Sequence, residues 1–450
     1  MSRVIALIDG EHYPPVVRFA LGELAREHEV VAAAFLGGTE KIDLDAGYST
    51  YGVPLVTAST AGEALREALQ RYPADAVIDL SDEPVVTSAE RFELASIALS
   101  SGAEYRGADF VFTPPAAKVV TSTPTLAIIG TGKRVGKTAI SAHIARQLKA
   151  AGTDLAVLAM GRGGPPEPEL IYGERVALTT PDLLELARQG IHASSDNYED
   201  AVMSRVTTVG CRRCGGGMAG ETFFSNVPEG ARMADGLGKE LIVLEGSGSA
   251  IPPVAADANV LVIGAGRGET YVRDYFGPYR LARADLAIIA TAEEPVATAR
   301  EVAAIRRAII SARPDLPIVA TTFRPAPIEP VEGRRVFFAT TAPAEILPTL
   351  VSHLQSHYGC EVVAASANLS NRSLLREDMT AAAGRFDLLL TELKAAAIDV
   401  VAAAGEEWGV PTVLCDNVPV AVDASDLEAQ IATIARTAIA RGRARGERLR

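Results

Sequence analysis

The sequence predicts an α/β protein in which a P-loop NTPase domain with a mostly parallel sheet is flanked by an N-terminal Rossmann-like α/β domain and a small C-terminal α/β domain. Three observations predict it. Short apolar runs alternate with helical periodicities along the chain, the pattern of strands joined through crossover helices. The run Ile129-Gly130-Thr131-Gly132-Lys133-Arg134-Val135-Gly136-Lys137-Thr138-Ala139 puts a glycine-rich turn between one such strand and one such helix. At 450 residues the chain is too long for a single hydrophobic core, and typical domain sizes give roughly three domains.

Taken in order, Val4 to Ile8 reads as a buried strand, Val16 to Glu27 as a helix and Val30 to Leu36 as a second strand. A helix near Ala61 to Gln70 and a strand at Ala76 to Leu80 continue this first unit, residues 1–115. The prolines between Thr113 and Pro124 disfavour helix and mark a hinge. The phosphate-loop domain follows over residues 124–350, with further strands at Leu155 to Ala159, Leu241 to Leu244, Val260 to Ile263, Leu286 to Ala290 and Ile318 to Thr321. A last unit over residues 360–450 holds strands at Glu361 to Val363, Asp387 to Leu390 and Thr412 to Leu414.

Composition narrows the function classes. An apolar fraction of 48% with 22% charged residues is ordinary for a globular protein. A formal net charge of −13 supplies no basic stripe to displace phosphate counterions, which argues against a nucleic-acid partner. The apolar runs are broken well short of a membrane span, so no membrane partner is expected either. Four cysteines make no disulfide framework, and the first residues lead straight into a strand, so a cytoplasmic location is the expectation.

The loop Gly130 to Thr138 carries the most chemistry. Consecutive N–H groups in a glycine-rich turn form an anion nest, and the following helix aims its positive end at the same point. Lys137 would reach the outer phosphates of a nucleotide, and the Thr138 hydroxyl would ligate Mg²⁺. Thr131 stands where the strict pattern wants glycine, so the loop is a variant. A glycine-rich turn without a ligand is the plainer alternative, and the intact order of strand, loop, Gly136-Lys137-Thr138 and helix argues against it.

Leu241 to Leu244 ends in Glu245 and a glycine turn, where a phosphate-loop domain carries the carboxylate that meets Mg²⁺ or its water; a solvated strand end is the alternative. Arg162, in Met160-Gly161-Arg162-Gly163-Gly164, follows another strand and should face the ligand crevice at the carboxyl edge of the sheet. The segment Cys211-Arg212-Arg213-Cys214-Gly215-Gly216-Gly217 is ambiguous. Its two thiols are too few for a closed zinc site, although metal or redox chemistry and a plain loop both stay open. The favoured reading binds substrate phosphate through the Arg212 and Arg213 guanidiniums and the glycine N–H groups around Gly216. At the end of the first strand, Asp9 and His12 are further candidates for holding substrate, His12 as an acid, base or phosphate donor. Gly37-Gly38-Thr39-Glu40-Lys41 closes the next strand with no role assigned.

Taken together, Ile8 to Val16, Gly37 to Lys41, the variant loop, Cys211 to Gly217 and Glu245 to Pro253 resemble the cyclic 2,3-diphosphoglycerate synthetase family over nearly the whole chain. Within the central domain, the loop and Glu245-Gly246 are also similar to dethiobiotin synthetase and its relatives. Those relatives carry a signature lysine early in the loop, where this chain has Gly132 followed by Lys133. The resemblance implies that ATP drives closure of a cyclic pyrophosphate from 2,3-diphosphoglycerate, with release of ADP and phosphate. Lys137, Lys133 and Glu245 would then be catalytic, the loop Gly130-Thr131-Gly132-Lys133-Arg134-Val135-Gly136-Lys137-Thr138 would hold the nucleotide, Thr138 and Glu245 would hold Mg²⁺, and Asp9, His12, Arg162, Arg212, Arg213 and Gly216 would hold the substrate. Composition does not fix the oligomeric state; relatives of the central domain are often dimers, which leaves a homodimer open. Two alternatives remain at this point: activation of another small acid by ATP, or a nucleotide-driven switch or assembly factor.

Overall fold

The computed structural model describes residues 1–38 and 50–448, so Thr39, Glu40 and Lys41 lie outside the described residues. The chain divides into two compact units, one of residues 1–115 with 270–283, the other of residues 116–269 with 284–450.

In the first unit, β1 (Arg3–Ile8), β2 (Glu29–Phe35), β3 (Leu55–Val56), β4 (Ala76–Asp79), β5 (Glu104–Arg106) and β6 (Val111–Phe112) form one sheet in the order β3-β2-β1-β4-β5-β6. All neighbours are parallel except β6, which returns antiparallel along β5. β1 is buried on both faces, which is why it reads as an unbroken apolar run. Their starts are written locally: Thr60 accepts from the Glu63 N–H ahead of Ala61–Arg71, and Thr87 with Glu90 forms a capping box ahead of Ser88–Ser100. Residues 270–283 complete this unit from far along the chain. Phe276 there is fully buried, edge-on to Phe92 at 5.3 Å and to Phe112 at 5.0 Å between ring centroids.

The second unit is built on one sheet of thirteen strands. These are β7 (Thr125–Gly130), β8 (Leu155–Gly161), β9 (Glu169–Tyr172), β10 (Thr207–Cys214), β11 (Phe224–Ser225), β12 (Leu241–Glu245), β13 (Ala258–Gly264), β14 (Leu286–Ala290), β15 (Ile318–Pro327), β16 (Arg335–Ala339), β17 (Glu361–Ser366), β18 (Leu388–Glu392) and β19 (Thr412–Ala421). The order is β11-β10-β8-β12-β7-β13-β14-β15-β19-β18-β16-β17, with β9 also paired to β10. From β10 to β15 every main pairing is parallel, so the carboxyl ends of β7, β8, β10 and β12 share one edge. The loop after β7, Arg162, Arg213 and Glu245 all belong to that edge.

Beyond β15 the direction reverses, because β19 runs antiparallel to it while β18, β16 and β17 run parallel to β19. The register matters more than the reversal. β14 pairs with Ile318 to Ala320 of β15, whereas β19 pairs only with Thr321 to Pro327. The C-terminal strands are therefore displaced past the carboxyl edge of the phosphate-loop strands and point their own carboxyl ends back toward it. One apolar core runs beneath the loop, joining Leu126, Ile128, Val135, Ile140 and Val262 to Ile431 and Ile434 of the closing helix Leu427–Arg448.

Candidate active site

Every residue of β7 is buried, and the chain leaves it through a tight turn into the helix Lys137–Ala150. Gly136 caps that helix with φ +90°, a left-handed conformation unfavourable to other residues, and the Phe323 ring fills the space a Cβ would need. Val135 anchors the loop in the core, while Lys133 and Arg134 project to the surface, Arg134 donating to Ser370 Oγ at 3.2 Å. Thr131 and Gly132 are buried, and the Thr131 N–H donates to the Val262 carbonyl at 3.1 Å. Gly130 leaves room for the Lys137 stem, which lies where its side chain would be.

Lys137 is folded back into this turn. Its Nζ donates to the Gly132 carbonyl at 2.7 Å, and the residue is only 6% exposed. Burial lowers its pKa to about 8, with Glu245 and Asp196 opposing the shift and Arg162 and Arg213 reinforcing it. Those four charged side chains lie near enough to act on the lysine. Glu245 ends β12 at 2% exposure, near enough to Thr138 for that side chain to lower its pKa, and has a carboxylate oxygen buried without a partner. Burial and the neighbouring Asp196 push Glu245 up to about 7, against the hydrogen bonds from Asp200 and Thr138.

Arg162 and Arg213 converge on Gly248, where a Cβ would lie 2.5 Å from Arg162 Nη2 and 3.1 Å from Arg213 Nη2. Gly248 has φ +63°, so the turn after Glu245 both needs glycine and makes room for the two guanidiniums. Arg213 is aimed by hydrogen bonds to the Ser247 carbonyl at 2.7 Å and the Gly215 carbonyl at 3.0 Å, with its Nε buried and unpartnered. Burial and Arg162 lower its pKa, which marks a cation pressed against a like charge.

Arg212 is not brought to this cluster. Arg212 and Arg213 are successive residues of β10, and side chains alternate between the faces of a strand. The Arg212 Nε instead donates to the Gly164 and Pro165 carbonyls at 3.1 and 2.7 Å. The same alternation separates the two thiols: Cys211 is buried, its pKa raised to about 12 by desolvation and by Glu229, while Cys214 is exposed. Gly216 lies in the exposed turn beyond, beside Arg213 Nη1.

The helix Asp196–Ser204 brings a group that sequence reasoning missed. Asp196, Glu199 and Asp200 sit at helical spacing and so share a face, and that face is turned inward. Asp200 is fully buried within hydrogen-bonding range of Glu245, and neither of its oxygens has another partner. Burial raises all three carboxyls, Glu199 to about 8. Lys394, just past β18, answers them with its Nζ 2.9 Å from Glu199 Oε1. Burial works against the Lys394 charge, but Glu199, Glu392 and Asp196 outweigh it and raise its pKa. The one usable signal was the spacing of acids at 196, 199 and 200 in a segment with a weak apolar stripe.

Asp9 and His12 belong to the first unit, at the carboxyl edge of its sheet. Asp9 is fully buried and accepts from the N–H groups of Glu11, His12 and Asp82 at 3.0, 3.2 and 2.9 Å and from His12 Nδ1 at 2.8 Å. Burial alone would raise its pKa, but these hydrogen bonds win and lower it. His12 is thus held between Asp9 and Asp82, its Nε2 3.3 Å from Asp82 Oδ2.

A buried lysine at a glycine-capped helix start, a carboxylate against the following threonine and two arginines converging from neighbouring strands define a phosphate-loop protein with a second cationic site beside the loop. Family models agree and go further. The cyclic 2,3-diphosphoglycerate synthetase P-loop domain matches residues 125–322, the N-terminal domain of the same family residues 3–113 and its C-terminal domain residues 327–418. The chain belongs to the cyclic 2,3-diphosphoglycerate synthetase family. It is similar to the cyclic 2,3-diphosphoglycerate synthetase of Rubrobacter xylanophilus, at 52% identity over 98% of each chain, and to that of Methanothermus fervidus, at 46% identity over 94% of each. Among solved structures it is loosely similar to LpxK from Aquifex aeolicus, at 13% identity over 71% of this chain and 91% of that one, with a TM-score of 0.40. The protein is an enzyme of 2,3-diphosphoglycerate. Among the described residues no helix is long and apolar enough to cross a membrane.

Proposed function

We propose that the enzyme closes the cyclic pyrophosphate of 2,3-diphosphoglycerate by phosphoryl activation with ATP, releasing ADP and orthophosphate. The observation that carries this reading is the convergence of Arg162 and Arg213 on the turn beside Lys137, which supports two anion sites side by side. A nucleotide-driven switch needs only the first. The loop N–H groups and Lys137 would hold the ATP phosphates, and the two guanidiniums would hold the substrate phosphates close to the γ-phosphoryl group.

The chemistry balances without a protein nucleophile. An oxygen of one substrate phosphate attacks the γ-phosphorus, the bond to ADP breaks, and ADP leaves. An oxygen of the other substrate phosphate then attacks the phosphorus that was activated, forming the ring pyrophosphate and expelling orthophosphate. Lys137, Arg162 and Arg213 offset the negative charge that would otherwise keep the two substrate phosphates apart, and the burial of Lys137 makes its charge count for more than it would in water.

The residues fit Mg²⁺. Glu245 keeps one buried carboxylate oxygen without a partner and lies near Thr138, and together they offer hard oxygen donors. Among the described residues no three His, Cys, Asp or Glu side chains converge as a ligand set, which suits an ion completed by phosphate and water oxygens. Bound there, the ion would neutralise charge on the outer phosphates. Incubating the enzyme with ATP, Mg²⁺ and 2,3-diphosphoglycerate and following the products by phosphorus NMR tests the reading. ADP, orthophosphate and the cyclic product should appear in equal amounts, and ATP turnover that ignores the added substrate would defeat it.

A further inference from the structure

We infer that Lys394, from the C-terminal part of the chain, is a positioning residue of the phosphate-loop site, holding the acidic face of the helix Asp196–Ser204 in place through its ion pair with Glu199. This rests on the phosphate-loop reading above and adds a residue lying far outside that loop.

The register of the sheet brings Lys394 there. β18 runs toward the phosphate-loop edge, and Lys394 stands two residues past its end. Glu392 is itself fixed, accepting from the Thr340 hydroxyl and from the N–H and hydroxyl of Thr341 at 3.1 and 2.6 Å. The neighbouring Leu393 is buried in a cluster with Tyr198, Ala201 and Val202 of the helix and with Ile398 and Ala402 beyond it. That apolar contact fixes the backbone on each side, so Lys394 meets Glu199 from a set position rather than from a mobile stem.

The consequence follows from counting charges around the loop. Asp196, Glu199, Asp200 and Glu245 are four neighbouring carboxyls, three of them buried; Lys137, Lys394 and Arg162, with His192, act on Asp196, whereas Lys394 alone forms an ion pair with Glu199. Lys137 has its own task at the nucleotide. Without Lys394 the buried Glu199 loses its partner and must take up a proton or move toward water, and either change would shift the helix that also carries Asp196 and Asp200 relative to Glu245 and Lys137. The misplacement would act on the reacting geometry more than on binding, because the N–H cradle and the Arg162–Arg213 pair do not touch Lys394.

The test is steady-state kinetics on Lys394→Met, Lys394→Arg and the double variant Glu199→Gln/Lys394→Met, with Lys137→Ala in parallel and folding followed by thermal melting. Lys394→Met should lower kcat by about tenfold or more while the KM for ATP changes less than about threefold, and Lys394→Arg should recover most of the loss. The double variant removes the orphaned carboxylate together with the lysine, so it should fold even if the single variant does not, and its kcat should be no lower than that of Lys394→Met. A kcat within about twofold of the parent in Lys394→Met, an arginine variant no better than methionine, or a folded double variant slower than Lys394→Met overturns the inference. If Lys137→Ala is inactive while Lys394→Met is normal, only this inference fails. Full activity in Lys137→Ala removes the phosphate-loop reading beneath it.

Discussion

Replacing Arg213 by alanine, with Arg212 as its control, tests the division of labour between two adjacent arginines. Arg213 reaches the convergence point at Gly248 and spends two of its N–H groups on the Ser247 and Gly215 carbonyls, which aim the rest of the fork toward Arg162. A phosphate met by that fork gains a charge-assisted pair of about 1.5–3 kcal/mol, so its loss should lower kcat/KM for 2,3-diphosphoglycerate roughly ten- to a hundredfold. The KM for ATP should change by less than about threefold, because the loop N–H groups are untouched. Arg213→Lys keeps the charge but not the fork and should fall between the two. Arg212→Ala removes two bonds to the Gly164 and Pro165 carbonyls, so it should lower the melting temperature while leaving the KM for 2,3-diphosphoglycerate within about twofold. The assay is initial-rate kinetics with 2,3-diphosphoglycerate varied at saturating ATP. An Arg212→Ala defect in KM as large as that of Arg213→Ala would refute the argument from strand alternation.

Three further outcomes are expected. Lys137→Ala should fold and lose at least about a hundredfold in kcat, the scale of deleting one strong electrostatic stabiliser, as measured by ADP release. Glu245→Gln should raise the Mg²⁺ concentration needed for half-maximal rate more than it raises the KM for ATP, since it removes charge beside Thr138 and none of the phosphate cradle; a Mg²⁺ titration at fixed ATP reads this. Asp9→Asn should cost the first unit about 1–3 kcal/mol near neutral pH, because the charged carboxyl accepts four hydrogen bonds in the folded state. Its folded pKa is lowered, so that stabilisation is complete above the ordinary carboxylate range and is lost as pH falls through the lowered value; melting curves of parent and variant should draw together below about pH 4.

The parallel strands and the phosphate loop were legible because they are local: apolar runs buried on both faces, then glycines where the backbone turns, then a helix. Glu245 was legible for the same reason, as a carboxylate at the end of an apolar strand. As a glycine-rich loop the segment makes Arg212 and Arg213 one unit, and only its placement on β10 sends the two side chains apart. The helix Asp196–Ser204 was missed because a run of acids ordinarily reads as a solvated face. Here it is buried by Leu393 to Ala402, about two hundred residues further on, a contact no local pattern records. The same holds for residues 270–283, whose Phe276 completes the aromatic cluster of the first unit. Long-range pairing decided both.

The claim that one substrate phosphate is first activated by γ-phosphoryl transfer is tested most directly with 2,3-diphosphoglycerate carrying oxygen-18 in the non-bridging positions of both phosphates. In the sequence of steps proposed here, the oxygen that attacks ATP leaves with the orthophosphate when the ring closes. Phosphorus NMR of the released orthophosphate should therefore show one oxygen-18 atom derived from the substrate in each molecule formed. Orthophosphate free of the label, alongside labelled cyclic product, would contradict activation of the substrate and return ATP to a hydrolytic role.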